Sequence, residues 1–230
     1  MARYIRPILC VAALLLLSTT MVYAIPSFRG YTGLLLVPTA RSLDRGMWDA
    51  GLFVESVSEG TINDYVANYG VSNGLEVGLD VFRRDDKFEG FGPTDGSKVL
   101  INGKYEFLRE TAAHPAIAAG IIDLADQVES TVYVVASQSL SKKLGCFAGE
   151  PIAPTIHVGF GGGILDGVFA GLSTYLGNRI EVMVEWDSRI FDVGGRFRLT
   201  PGLTVHAGFF DVFDRYDASF GVGLSYGRYY

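Results

Sequence analysis

Apolar and polar residues alternate one by one along much of this chain. In segment 180–186 (IEVMVEW) every second residue is apolar, and Glu181 and Glu185 stand between them. The same alternation recurs at 203–209 and at 219–227. A two-residue repeat is the period of a β-strand with one apolar face, so the pattern predicts β-structure.

The alternating runs are separated by turn sequences at regular intervals. Ser72-Asn73-Gly74, Leu176-Gly177-Asn178 and Thr200-Pro201-Gly202 are typical of tight hairpin turns. The runs predict about twelve strands, at 48–57, 63–71, 75–84, 97–107, 115–123, 130–140, 154–162, 167–175, 178–187, 190–199, 203–212 and 217–228.

Short turns are expected to alternate with longer loops, because bacterial membrane barrels have short turns on one side and long loops on the other. The segment 83–96 fits as a long external loop. Two connections do not fit: the turn after Trp186 is short where a long loop is expected, and Lys142 to Pro154 is long where a short turn is expected. One miscounted strand would explain the mismatch.

The second face of the strands distinguishes a membrane barrel from a soluble sandwich. This face carries mainly glycine, serine and compensating charges, which suits a narrow polar lumen. The apolar face carries aromatic residues near strand ends, at Trp48, Tyr65, Trp186 and Tyr226, as in the interfacial girdles of membrane barrels. We therefore predict an all-β fold, an antiparallel transmembrane β-barrel of about 12 strands over residues 47–230.

The first residues predict export. Arg3 and Arg6 precede an apolar run from Ile8 to Val22, and Val22-Tyr23-Ala24 places small residues where a signal peptidase cleaves. Residues 1–24 are thus expected to be a signal peptide, and an outer membrane is the expected destination. Lipid and lipopolysaccharide are then the expected surroundings.

Charge and cysteine content narrow the function classes. Without Arg3 and Arg6 the chain carries 17 basic and 25 acidic residues, so nucleic-acid binding is not expected. After cleavage Cys146 is the one cysteine left, which excludes an intramolecular disulfide. No cofactor is predicted.

Residues 25–46 precede the first predicted strand and contain Leu34-Leu35-Leu36-Val37 without alternation. Three placements are compatible with this segment: a plug inside the barrel, an extra strand, or a path along the periplasmic rim. The sequence does not choose among them.

A row of polar side chains is predicted across three strands. A hairpin with Ser188-Arg189 at its tip pairs Glu181 with Arg196, and the next hairpin pairs Arg196 with His206. Charged residues facing lipid are costly, so Glu181, Arg196 and His206 are expected to line the lumen. We expect this row to be structural and to fill a narrow interior.

Two further site hypotheses arise from the polar residues. Barrel enzymes that modify lipids pair a His with a Ser; His157 could meet a Ser on a neighbouring strand, such as Ser173, whereas His206 has no adjacent Ser in its own strand. The acidic loop could contact a divalent cation or lipopolysaccharide through Asp85, Asp86, Glu89 and Asp95. Catalytic residues and a dedicated metal site are not predicted.

Several stretches resemble a known family. Residues 33–41 (GLLLVPTAR) with 44–46 (DRG) resemble the N-terminal motif of YjbH-type outer-membrane β-barrels, which are often labelled exopolysaccharide-biosynthesis associated. Segment 69–79 resembles the early hairpin of that family, and segments 156–163, 183–187 and 194–201 resemble its later elements. The resemblance implies an outer-membrane location and a connection with polysaccharide or its export components.

The leading functional interpretation is a structural or accessory outer-membrane barrel, for which the family resemblance implies a connection with exopolysaccharide export. A narrow passive pore is the alternative, and a lipid-modifying barrel enzyme is the second alternative.

Overall fold

The structure is a computed structural model, and it describes residues 24–58, 60–86, 97–140, 145–147, 150–213, 215–216 and 218–229. The expected signal peptide, apart from Ala24, lies outside the described residues. Within them, no helix is long and apolar enough to cross a membrane.

The described chain forms β-strands joined by turns and loops. In order they are β1 (Trp48–Val57), β2 (Gly60–Ser72), β3 (Leu75–Asp86), β4 (Ser97–Leu108), β5 (Ala116–Ile122), β6 (Thr131–Ser139), β7 (Gly145–Phe147), β8 (Glu150–Ile152), β9 (Thr155–Gly161), β10 (Gly167–Leu176), β11 (Ile180–Trp186), β12 (Phe191–Arg198), β13 (Leu203–Phe210) and β14 (Ser219–Arg228).

Twelve of these strands close into one antiparallel barrel, which confirms the predicted fold class. Each barrel strand pairs with the barrel strands before and after it in the chain, β6 pairing with β9, and β1 pairs with β14 so that Ala50 lies opposite Tyr226. Closure leaves no sheet edge, as a wall facing lipid requires, because lipid offers no hydrogen-bond partners to an open backbone. Every predicted strand is present, with bounds that differ by at most three residues.

The two poorly fitting connections are both present in the twelve-stranded barrel. The short turn between β11 and β12 joins neighbouring strands. The long connection between β6 and β9 contains the small β7–β8 hairpin, which pairs Cys146 with Pro151 outside the barrel sheet. The suggestion of a miscounted strand was therefore wrong: the long connection holds a separate hairpin and adds no strand to the wall.

The outer face of the barrel is apolar. Large side chains such as Phe160 (64% exposed) and Phe209 (59% exposed) point away from the barrel. Trp48 and Tyr226 are exposed near strand ends, as predicted, and the half-exposed Trp186 at the end of β11 stacks on Phe191 with ring centroids 6.1 Å apart. Tyr65 is also exposed, but its predicted place near a strand end is wrong: β2 begins at Gly60, earlier than predicted, so Tyr65 lies near the middle of the strand. An apolar band with aromatic residues near its ends is the surface of a membrane-spanning barrel.

The inner face is polar and buried. Glu76, Glu185, Arg196, His157 and His206 are each at most 5% exposed although they lie on the wall of the barrel. In a hollow pore such residues would face water. Their burial means that the lumen is filled.

Candidate functional site in the barrel lumen

Residues 25–46, called the plug from here on, fill the lumen. The plug folds back on itself through backbone hydrogen bonds from Gly33 N to Ile25 O (3.0 Å) and from Phe28 N to Leu35 O (2.9 Å). It leaves the barrel at the end where β1 begins, called the terminal rim, where Gly46 N donates to Gly70 O at 2.8 Å. Of the three placements compatible with the sequence, the structure has the one inside the barrel.

Apolar plug side chains pack in two clusters against inward-facing apolar residues of the wall. The first holds the plug residues Phe28, Leu34 and Leu35, with Phe53, Val66, Met183 and Phe210 from the strands. The second holds the plug residues Tyr31, Val37 and Ala40, with Ala116, Ala118, Ile122, Tyr133, Val135, Leu165 and Phe169. The lumen thus contains a hydrophobic core of the kind found in soluble domains.

Inward-facing glycines make room for the plug. A Cβ atom at Gly171 would lie 2.3 Å from Leu34 Cδ1, and one at Gly194 would lie 2.8 Å from Leu35 Cδ1. Both distances are too short for nonbonded carbons. The glycines on the polar phase of these strands are therefore required by close contact with leucines of the plug.

The Glu185 carboxylate binds one turn of the plug backbone. Its oxygens accept hydrogen bonds from Leu35 N (2.9 Å), Leu36 N (2.5 Å) and Val37 N (3.2 Å). Three backbone N–H groups converging on one carboxylate form a small anion-binding nest. Here the anion belongs to the wall and the nest belongs to the plug.

The Glu181, Arg196 and His206 row lies beside this nest. Glu181 pairs with Arg196, and Arg196 with His206, in the registers of β11, β12 and β13. Arg196 lies 3.2 Å from Glu181 Oε2, and its Nε donates to His206 Nδ1 at 3.2 Å. All three side chains are buried in the lumen.

Arg196 also binds the plug, a role that sequence reasoning did not include. Its Nη2 donates to Gly33 O (2.7 Å), Leu34 O (2.5 Å) and Pro26 O (3.2 Å). The row was expected to fill a narrow interior. In the structure the plug fills the interior, and the row holds it.

A third anchor lies between β3 and β4. The Glu76 carboxylate accepts hydrogen bonds from Thr32 N (3.2 Å) and Leu43 N (2.9 Å). Lys104 Nζ lies 3.6 Å from Glu76 and donates to Thr32 O at 2.9 Å. Glu76 therefore accepts a hydrogen bond from the N–H group of Thr32, and Lys104 donates one to the carbonyl group of the same residue.

One charged side chain of the plug reaches back to the wall. Arg29 is paired with Glu55 at 2.6 Å and with Asp64 at 2.8 Å. Burial lowers the pKa of the Arg29 guanidinium, but the carboxylates of Asp64 and Glu55 outweigh this effect and raise its pKa above the ordinary value. The arginine is thus a permanent cation between two acids of the wall.

The histidine and serine residues do meet, but inside the barrel. His157 Nδ1 lies 2.8 Å from Ser137 Oγ and His157 Nε2 lies 3.3 Å from Ser173 Oγ, while Ala40 N of the plug donates to Ser137 Oγ at 2.9 Å. His206 Nε2 lies 2.7 Å from Ser225 Oγ, a partner on β14 that sequence reasoning missed. These groups face the plug and not the lipid boundary where a lipid-modifying enzyme would act.

Several wall residues of the lumen were also missed at the sequence level. Phe53, Tyr133, Phe169 and Phe210 point inward and contact or surround the plug. A large apolar residue on the polar phase of an alternating strand was the available signal, as at Phe53 between Gly51 and Glu55. Such residues predict an apolar occupant of the lumen.

The proposed cation or lipopolysaccharide loop falls mostly outside the described residues. Asp85 and Asp86 end β3, whereas Glu89 and Asp95 are not described. Among the residues that the structure does describe, no group of three or more His, Cys, Asp or Glu is arranged to hold a metal ion. The loop contact stays a prediction.

Comparison with known proteins gives matches at the level of fold. No protein-family profile matches the chain, and no curated protein is similar to it in sequence. The solved KdgM porin is similar in structure with a TM-score of 0.55 and 9% identity, over 77% of this chain and 98% of that one. The NanC porin is similar with a TM-score of 0.50 and 11% identity, over 78% and 98%. At such low identity the structural similarity shows a shared barrel fold and no more, and the YjbH resemblance stays a prediction.

Proposed function

We propose that this protein is an outer-membrane β-barrel whose lumen is closed by its own N-terminal segment, and that it works as a structural or accessory component of that membrane. The observation that carries the proposal is the plug. It is hydrogen-bonded to Glu185, Arg196 and Glu76 and packed in two apolar clusters. A lumen filled in this way is unsuited to continuous passage of solutes.

The arrangement of partners supports closure as the resting state. Arg196 is bound to Glu181, His206 and three plug carbonyls, so each of its guanidinium nitrogens has a hydrogen-bond partner within the protein. Lys104 is likewise enclosed between Glu76 and Thr32. Removing the plug would break these hydrogen bonds and would expose the apolar residues of both clusters to water, so the closed lumen is the favoured state.

Conductance in a planar bilayer tests this proposal. The mature chain is expected to give no steady conductance, and a variant lacking residues 25–43 is expected to conduct. Both proteins must first show heat-modifiable migration in gels, which reports a folded barrel. Steady conductance from the intact chain would contradict the proposal.

A gated pore is the second candidate, and the similarity to two porins favours it. One solved form of the KdgM porin, with a TM-score of 0.53, is described as a complex with disordered oligogalacturonate. A pore of this kind would require the plug to move. A Leu34→Cys and Gly171→Cys pair, in a chain with Cys146→Ser, would lock the plug because these positions are in contact. Voltage- or solute-dependent openings that disappear on oxidation and return on reduction would support the gated pore over the accessory role.

The proposed link to exopolysaccharide export rests on the resemblance to YjbH-type barrels. Its test is the amount of secreted polysaccharide in the source bacterium with the gene deleted, restored, or restored with the locked variant. Restoration by the locked variant would assign an accessory role that needs no open lumen. Unchanged secretion after deletion would remove the link.

The lipid-modifying alternative has less support from the geometry. His157, Ser137 and Ser173 are buried beneath Ala40 of the plug, where an acyl substrate in the surrounding membrane has no access. Replacing His157 by Gln should therefore leave phospholipid and lipopolysaccharide acylation unchanged in membranes that contain the protein, as measured by mass spectrometry.

A further inference from the structure

The outer wall of the barrel has a hollow at the terminal rim, on strands β1 to β4. Its volume is about 510 Å³, and it is lined by Trp48, Asp49, Ala50, Ala67, Asn68, Tyr69, Val77, Gly78, Leu79 and Ile101. Asp49 and Asn68 are buried on the lumen side of the wall, and the outward-facing side chains of the set are all apolar. The hollow is open toward the membrane, so it is a shallow groove in the wall and not an enclosed cavity.

The hollow arises from the size of two alanines. Ala50 and Ala67 lie directly opposite each other on β1 and β2, and both face outward. The pair on the rim side is Trp48 with Tyr69, and the pair on the other side is Leu52 with Tyr65. Two methyl groups between larger cross-strand pairs leave a depression at this point of the outer surface.

The rim side of the hollow is aromatic and cationic. Arg228 lies opposite Trp48 in the register of β1 and β14, and both side chains are exposed on the outer face. Trp48 also contacts Tyr226, with ring centroids 5.9 Å apart. Arg45 is exposed at the same rim, one residue before the Gly46 bond to Gly70, while the neighbouring Asp44 is paired with Arg109.

We propose that this hollow binds one acyl chain of an anionic phospholipid, with the lipid phosphate at Arg228 and Arg45. Tryptophan and tyrosine at a strand end mark the headgroup level of the bilayer. An acyl chain in the hollow would lie on the hydrocarbon side of these residues and a phosphate at Arg228 on the headgroup side, which is the orientation of a lipid in the membrane. Basic residues at that level attract anionic headgroups. These basic residues are the reason for choosing a lipid as the occupant. The wall of a second copy of the protein would also cover the hollow with an apolar surface, but it would bring no phosphate to the arginines.

The hydrophobic effect gives an acyl chain no preference for the hollow over the bilayer, because the two surroundings are equally apolar. Selectivity must come from close packing against the alanine floor and from the rim charges. These two contributions can be separated by substitution. The inference requires the protein to lie in a membrane but does not depend on whether the plug keeps the lumen closed.

Native mass spectrometry of the folded mature chain tests the proposal. The protein is exchanged in detergent with equal amounts of phosphatidylglycerol and phosphatidylethanolamine of the same acyl chains. We expect one phosphatidylglycerol to remain bound. Ala67→Leu fills the hollow and should abolish retention, and Ala50→Leu provides the same test if the first variant does not fold. Arg228→Gln should bring retention of the two lipids to parity.

Ala207→Leu is the matched control, because Ala207 is another alanine on the outer face and lies between Gly195 and Val222 on the far side of β14. It should retain the lipid as the unmodified protein does. Equal lipid retention in Ala67→Leu, or equal loss in Ala207→Leu, would overturn the proposal in favour of an unspecific lipid annulus. A dimer lost in Ala67→Leu, with no lipid bound to either form, would overturn it in favour of a second copy of the chain. Heat-modifiable migration in every variant separates these outcomes from failure to form a barrel.

Discussion

The two faces of the barrel wall are built by different rules, and the β11–β12 hairpin shows both. On the outer face Val184 lies opposite Val193, and their exposed side chains face lipid, which requires only that the surface be apolar. On the inner face Glu185 and Arg196 contact specific backbone atoms of the plug. The outer face is therefore specified by a class of residue, and the inner face by individual partners.

This difference predicts that substitutions on the inner face will reduce stability more than substitutions on the outer face. An apolar substitution on the outer face leaves the same kind of contact with lipid. A substitution inside leaves a buried donor or acceptor without its partner, and such groups are expensive. The following predictions test this contrast, from the largest expected effect to the smallest.

Arg196→Met should have the largest effect. It removes the partner of Glu181 and the Nη2 group that donates to three plug carbonyls, and breaking a buried ion pair costs about 3–5 kcal/mol of unfolding free energy. Urea titration of heat-modifiable migration in lipid vesicles would measure the loss. Arg198→Met is the control, because Arg198 donates to Asn178 O at an exposed site near the terminal rim. Equal destabilisation by the two variants would refute the special role of Arg196.

Glu185→Leu should loosen the plug while the barrel remains folded. Three backbone N–H groups lose their acceptor, but a loosened plug lets water hydrate them, so we expect a total loss of about 1–3 kcal/mol, less than for Arg196→Met. We expect faster proteolysis within residues 25–46 and intermittent conductance. Glu185→Gln keeps one carbonyl oxygen and should give an intermediate result. A plug that is equally resistant in all three proteins would show that apolar packing alone holds it.

Gly171→Val should disturb the plug through crowding. The new side chain would overlap Leu34, and overpacking of this kind costs about 1–3 kcal/mol. Combining Gly171→Val with Leu34→Ala should recover part of the lost stability, since the second change removes the atoms that overlap. A double-mutant cycle on the urea midpoint measures the coupling. Strictly additive effects would mean that the two positions are not in contact.

Val193→Leu should have the smallest effect. Val193 is exposed on the outer face of the same strand that carries Arg196, and surface substitutions of this type usually change stability by no more than about 0.5 kcal/mol. The same urea titration applies. A loss comparable to that of Arg196→Met would contradict the division between the two faces.

Much of the barrel could be predicted from residues close together in the chain. Alternation located the strands, and apolar matching across tight turns set the registers of Trp186 with Phe191 and of Phe197 with Val205. These pairs lie a few residues from a turn, so a local pattern is sufficient to align them. The β7–β8 hairpin was missed because its strands are three residues each, too short to show a period.

The candidate site was predicted only in part, because its other half is remote in sequence. The Glu181, Arg196 and His206 row follows from two hairpins, but the contact from Leu35 N to Glu185 joins residues 150 positions apart. The sequence left residues 25–46 three possible placements. It offered a hint in Phe53, an apolar residue on the polar face, without showing what Phe53 contacts.

The sequence by itself thus determined the membrane-facing wall, because a two-residue repeat and the chemistry of lipid require no knowledge of any other segment. The tertiary structure alone decided that the lumen is occupied. A buried carboxylate such as Glu185 can be bound by water, by an ion or by backbone N–H groups. Its place in the apolar–polar alternation of the strand would be the same in each case. Which partner it has depends on where the plug lies inside the closed barrel.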